Sequence, residues 1–163
     1  MEWSRRCYRP GSQFLRRIGI AMLAAHSTTR TRMNPATQHD LAKLFLRVTL
    51  GVLVLLHGIA KLRGGMGGIE RLVEAQGLPG VLAYGVLIGE VIAPLMLVIG
   101  FHARLGGLLV AINMAVAIAL VHMGELAAFN RQGGWALELQ AMFLVSAVAI
   151  ALLGPGRFSA NAR

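Results

Sequence analysis

Four apolar runs constrain this chain more than any other feature: Leu41–Leu62, Val81–Ile99, Leu105–Met123 and Leu137–Leu153. A helix rises ~1.5 Å per residue, so about 20 mostly apolar residues cross about 30 Å of hydrocarbon. Lipid offers the backbone no hydrogen bonds, and a segment that crosses it satisfies its own polar groups by becoming helical. The sequence therefore predicts an all-α protein, a polytopic membrane four-helix bundle. The fourth run is short and spans only if it stands upright. Charged residues make up 14% of the chain, against about a quarter in a soluble domain, which points the same way.

The connections are Arg63–Gly80, Gly100–Arg104 and Gly124–Ala136. The middle one is so short that the second and third helices must form an antiparallel hairpin. In the first, Ile69, Leu72 and Val73 share a helical face, which predicts a short helix lying on the membrane surface. Lys and Arg near the span ends set orientation. Lys43 and Arg47, His102 and Arg104, and Arg157 and Arg163 mark one side. The first connection dilutes its cations with Glu70 and Glu74, and the third sets Arg131 against Glu125. Both termini are expected in the cytoplasm.

Seven of the sixteen Lys and Arg residues precede Met33. A basic arm can bind nucleic acid, but one that leads into a hydrophobic helix reads as a topology signal, so no nucleic-acid partner is expected. Residues 1–40 are read as a disordered cytoplasmic arm, 41–159 as the membrane domain and 160–163 as a short tail. Residues 1–32 are either disordered or an over-long reading of the start, with Met33 as the natural beginning. Their one apolar stretch, Ile18–Ala25, is at the short limit for a signal-peptide core. The single cysteine, Cys7, excludes an internal disulfide and a Cys-x-x-Cys relay.

Helices in lipid associate through close backbone approach, which small residues allow. Gly85 and Gly89 form such a pair on the second run. Gly107, Ala111, Ala115 and Ala119 recur every fourth residue on the third, and these two faces are expected to meet.

Glu90 lies about nine residues from either end of its run, roughly 14 Å deep. An ionised carboxylate there costs several kcal/mol unless it is paired or protonated, so it reads either as a functional acid or as a packing device. Pro94 lacks the N–H that would bond the Glu90 carbonyl, which predicts a kink and a freed carbonyl on the same turn. Arg47 and Asn113 are the expected partners of Glu90. A separate polar layer is expected from His57, Lys61, His122 and Glu138. It can be read as a quinone headgroup or proton site, since His and Glu exchange protons near neutral pH. Haem between His57 and His122 is the disfavoured reading, and no close-spaced metal motif is present.

Taken together, Arg47–Leu62 (RVTLGVLVLLHGIAKL), the Gly77-Leu78-Pro79 turn, Glu90, Gly100 with Arg104, and the ending Gly154–Ser159 (GPGRFS) resemble the DoxX family of small bacterial membrane proteins. The resemblance runs from about Leu41 to Ser159. It implies a four-span inner-membrane protein associated with redox chemistry. Some relatives are subunits of quinone-linked oxidoreductases, and others accompany thiol-stress systems. The family pattern touches Arg47, His57, Gly58, Lys61, Glu90, Arg104 and Glu138. This chain departs from it in having no cysteine in its spans, which argues against thiol exchange, and in having Pro94 where a small residue is usual.

Three functions compete at this level: a quinone-interacting or accessory subunit of a membrane redox system with a membrane or peripheral partner protein; a small proton, solute or membrane-organising protein; and a structural partner of another complex. All three share the lipid bilayer as surroundings. Topology is tested directly. Reporter fusions are expected to place Gln38, Arg104 and Arg157 inside and Ala75 and Arg131 outside, and an extracytoplasmic signal at Arg104 overturns this orientation.

Overall fold

The computed structural model describes residues 34–131 and 133–160. The readings made for residues 1–32 and for the tail residues 161–163 lie outside the described residues. The helices belong to the unit Pro35–Arg163. They are α1 (Pro35–Gly64), α2 (Gly67–Ala75), α3 (Gly80–Ile99), α4 (Ala103–Val121) and α5 (Glu138–Leu153). Among the described residues no strand forms beyond an isolated bridge, Phe129 with Trp135, in the loop before α5. The fold is all-α and of membrane type.

α1, α3 and α4 are each long and apolar enough to cross a membrane, whereas α5 has 16 residues, roughly 24 Å of helix. α1 starts earlier than its apolar run because Pro35 suits a first helical turn and the polar residues after it tolerate helix in water. α2 is the short amphipathic helix anticipated in the first connection, with Val73 buried.

α3 changes register along its length. It opens as a 3-10 turn at Gly80–Tyr84, becomes α-helical, widens to a π turn at Ile88–Ile92, and continues as α-helix over Ala93–Ile99. The π turn carries Glu90. Pro94 explains it: without an N–H at position 94 the Glu90 carbonyl has no i+4 donor, and the wider turn takes up the mismatch. α3 stops at Gly100 (φ 80°), and His102 (φ 46°) is also left-handed, so the chain reverses into α4 within a few residues.

Glycines bring the helices together. α1 and α3 run antiparallel, with Gly51 against the Pro94 carbonyl and Gly58 against the Glu90 carbonyl. Gly106 faces the Ala93 carbonyl of α3, and Gly107 faces the Ala147 carbonyl of α5. This corrects the expected meeting of two small-residue faces. Gly89 does meet α4, at Asn113, but Gly85 opens onto empty space, Gly107 serves α5, and Ala115 and Ala119 are exposed. The reason is periodicity: residues four apart drift by about 40° around a helix per step. A stripe that starts against α5 therefore turns outward, and the neighbouring Gly106 makes the α3 contact instead. Leu50, Val54, Leu97, Val110, Phe143 and Ile150 fill the space between the helices, while Leu56, Ile92 and Leu152 point outward, as suits lipid-facing positions.

A methyl group on Gly58 would strike the α3 backbone at Glu90, whereas one on Gly64 would meet nothing within 4 Å. Gly58→Ala is expected to cost about 1–3 kcal/mol through overpacking, read as a lower unfolding midpoint in detergent. Gly64→Ala should leave that midpoint unchanged. Equal midpoints for the two variants would show that α1 and α3 do not approach so closely.

Candidate functional site

Glu90 is 3% exposed. Its Oε1 accepts a hydrogen bond from Lys61 Nζ, with which it forms an ion pair, and another from Asn113 Nδ2 at 3.3 Å. Its Oε2 is buried without a partner. The two glycines described above make this arrangement possible. Gly58 lets α1 approach the Glu90 turn, and Lys61, three residues later, lies on the same face of α1. Gly89 gives Asn113 its place on the other side.

The expected pairing of Glu90 with Arg47 is not found. Because α1 and α3 are antiparallel, Arg47 lies beside Gly100, at the opposite end of α3. Arg47 is 2% exposed. Its Nη1 donates to the Pro155 carbonyl at 2.9 Å and its Nη2 to the Phe158 carbonyl at 2.7 Å. A side chain at position 100 would collide with the guanidinium, and Gly154 sits against Arg104. The Arg157 N–H donates to Asp40 at 3.2 Å. Arg47, Gly100, Arg104 and Gly154–Ser159, dispersed in sequence, thus form one clamp. It supplies donors to the carbonyls that follow the end of α5, where helical partners run out.

The expected second layer of His57, Lys61, His122 and Glu138 is redrawn in two ways. First, it is not separate from Glu90: His57, Lys61, Glu90 and His122 line one cavity of about 140 Å³. The long lysine stem carries its charge inward from the last turns of α1. Second, Glu138 is not among the lining residues. It is exposed, and its carboxylate lies beside Gly134 in the preceding loop. Gln140, two residues and therefore roughly 200° further round α5, lines the cavity instead, together with Phe143. The sequence reading passed over Gln140, although an amide near the start of an otherwise apolar helix was a usable signal.

His57 Nδ1 lies 2.8 Å from the Leu53 carbonyl, and its ring stands edge-on to Phe143 with centroids 5.6 Å apart. His122 Nδ1 lies 2.9 Å from Glu125 Oε2, and its Nε2 lies 3.5 Å from Gln140 Nε2. A second cavity of about 250 Å³ shares Lys61, Glu90 and His122 and adds Leu72 and Val73 of α2 and Asn113 of α4. The Lys61–Glu90 pair therefore borders both cavities. Among the described residues no group of three or more His, Cys, Asp or Glu is placed to hold a metal ion. The site combines an ammonium, a carboxylate with one bare oxygen, two imidazoles and an amide within apolar walls. It can orient a small polar ring and exchange protons with it.

The family model described as DoxX matches residues 42–123, a segment that contains every polar residue of the site except Gln140. A curated relative, "Putative oxidoreductase CatD" of Bacillus subtilis (strain 168), is 29% identical over 115 residues, which cover 71% of this chain and 81% of the relative. No solved structure matches.

The Arg47 clamp predicts a local effect at the carboxyl end. In a Cys7→Ser background, a cysteine at Ser159 should label faster when Arg47 is replaced by Ala. The variant should also lose about 1.5–3 kcal/mol for the charge-assisted bonds. Arg47→Lys should restore only part, because an ammonium lacks the planar fork that reaches two carbonyls. Unchanged labelling in Arg47→Ala would show that the tail is held by other means.

Proposed function

From the premise that this chain belongs to the DoxX family of membrane proteins, we propose that it is an inner-membrane, quinone-interacting subunit that serves a membrane redox system. In this reading α1, α3, α4 and the shorter α5 all span the bilayer, with both termini in the cytoplasm, and a membrane or peripheral partner protein completes the redox system. The observation that carries the proposal is Glu90: buried, with Oε1 paired to Lys61 and Asn113 and Oε2 bare, on the wall of a cavity with His57, His122 and Gln140. The name of the Bacillus relative as an oxidoreductase supports it.

A bound quinone supplies two-electron, two-proton carrier chemistry. The residues of this chain bind, orient and handle protons. Lys61 would hold a ring carbonyl as a donor, and Glu90 would hold a ring hydroxyl as an acceptor. His57 and His122, which line the cavity, pass protons between it and the membrane surface, where Glu125 contacts His122. The apolar walls exclude competing water. Lys61 takes the place beside Glu90 that was expected of Arg47.

A second reading, a proton or solute path without electron chemistry, draws on the position of the Lys61–Glu90 pair between two cavities. One variant separates the readings. Glu90→Gln keeps shape and hydrogen bonding and should insert normally, but it should lower quinone-dependent turnover by roughly a hundredfold or more if proton transfer is its task. Wild-type protein purified in mild detergent should carry quinone extractable by solvent. Wild-type protein that carries none, yet supports proton-coupled flux in liposomes that Glu90→Gln abolishes, overturns the first reading in favour of the second.

A further inference from the structure

We infer that the apolar furrow between α3 and α4, flanked by α2, holds the isoprenoid tail of the quinone whose ring lies at Glu90; this inference rests on the reading above. The furrow has a volume of about 420 Å³. Leu82, Gly85 and Val86 of α3, Ile112 and Val116 of α4, and Val73 of α2 line it, and Asn113 is its one polar wall residue. It shares Val73, Val86, Asn113, Val116 and Leu120 with the cavity of about 250 Å³ that reaches Lys61 and Glu90. One apolar route therefore runs along the bundle to a polar end, and that end holds a carboxylate oxygen that is buried and unpartnered.

Gly85 makes the furrow what it is. The other helix-packing glycines have neighbours where a side chain would be, but a Cβ on Gly85 would meet nothing within 4 Å. A glycine inside a helix costs about 1 kcal/mol relative to alanine, and at Gly85 no close helix contact offsets that cost. What the missing side chain leaves is room.

The chemistry of the polar end selects the occupant. A phospholipid acyl chain in the furrow would draw a phosphate toward the Glu90 carboxylate, where like charges repel and burial of a charge is expensive. A quinone ring is neutral, flat and small, and its carbonyl oxygens match Lys61 and Asn113 as donors. An isoprenoid chain is also flexible enough to follow a furrow shaped by branched Leu, Val and Ile side chains.

The test uses the full chain in phosphatidylcholine nanodiscs and two probes: a benzoquinone ring carrying an isoprenoid tail, and the same ring without it. Gly85→Leu adds a branched side chain to the furrow wall at a position where a Cβ meets nothing within 4 Å. It should weaken binding of the tailed probe at least about tenfold relative to wild type and leave binding of the tail-less ring unchanged. Partition of the tail into lipid is the same for both proteins and cancels in the comparison. Ile112→Phe, at a residue that lines the furrow but neither cavity at Glu90, narrows the furrow from α4, should repeat the pattern and covers the case in which Gly85→Leu fails to accumulate. If both variants bind both probes as wild type does, or weaken both equally, the furrow is not a tail site, lipid acyl chains being the remaining occupant, and the ring site at Glu90 stands. If wild type binds neither probe, the ring site fails and the tail site fails with it.

Discussion

The Lys61–Glu90 pair is the interaction on which the rest of the bundle depends. A carboxylate 3% exposed in the middle of an apolar helix has no water to solvate it, so neighbouring helices must supply donors. Each donor arrives by a glycine. Gly58 brings α1 close enough for Lys61, and Gly89 makes room for Asn113. The π turn at Ile88–Ile92 belongs to the same arrangement. Pro94 removes the donor that would have held the Glu90 carbonyl in α-helical register, and the widened turn sets that carbonyl against Gly58. π turns recur where a helix is bent to a functional purpose, and this one coincides with the buried acid and not with some other part of α3.

Glu90 and Arg47 divide the polar work between the two ends of the bundle. Both are charged and almost wholly buried, and both were expected to answer each other. Antiparallel packing of α1 and α3 keeps them apart. Arg47 is met by two main-chain carbonyls, which are dipoles, not charges, so its environment fixes geometry without offering an exchangeable proton. Glu90 is met by an ammonium and an amide, retains one oxygen without a partner, and lines a cavity together with two histidines. The contrast separates a clamp from a site: at one end both guanidinium Nη groups are spent on the backbone, with Nε left buried and unpartnered, and at the other the carboxylate with an unpartnered oxygen belongs to a residue that lines a cavity.

Much of this was legible in the residues. Run lengths gave the helices, the Ile69, Leu72 and Val73 face gave α2, and the depth of Glu90 required burial among partners, of which Asn113 was named. The pairing with Lys61 was not legible, because depth counted along each helix ignores the reach of a lysine stem and the offset between antiparallel helices. Rotation about a helix axis was equally hidden. The fourth-residue stripe Gly107–Ala119 looked like a single face but winds away from its neighbour, and only three-dimensional packing selects Gly106 for α3 and Gly107 for α5. On α5, nearly uniform apolarity gave no period from which to tell that Gln140 turns inward and Glu138 does not.

α5 ties the two ends into one mechanism. It contributes Gln140 and Phe143 to the cavity beside Glu90, while the residues just beyond its last turn, Pro155 and Phe158, are the ones that Arg47 holds. Between these points Gly107 lets α4 lie directly against the α5 backbone at Ala147. A closely packed helix transmits displacement instead of absorbing it, so release of the Arg47 clamp would shift the Gln140 and Phe143 wall of the cavity even though Arg47 touches nothing there. An activity loss on substitution of Arg47 would therefore describe a positioning residue, acting through α5. Activity loss in Lys61 or Glu90 variants has the direct meaning, because those side chains border the space where a ligand ring would lie.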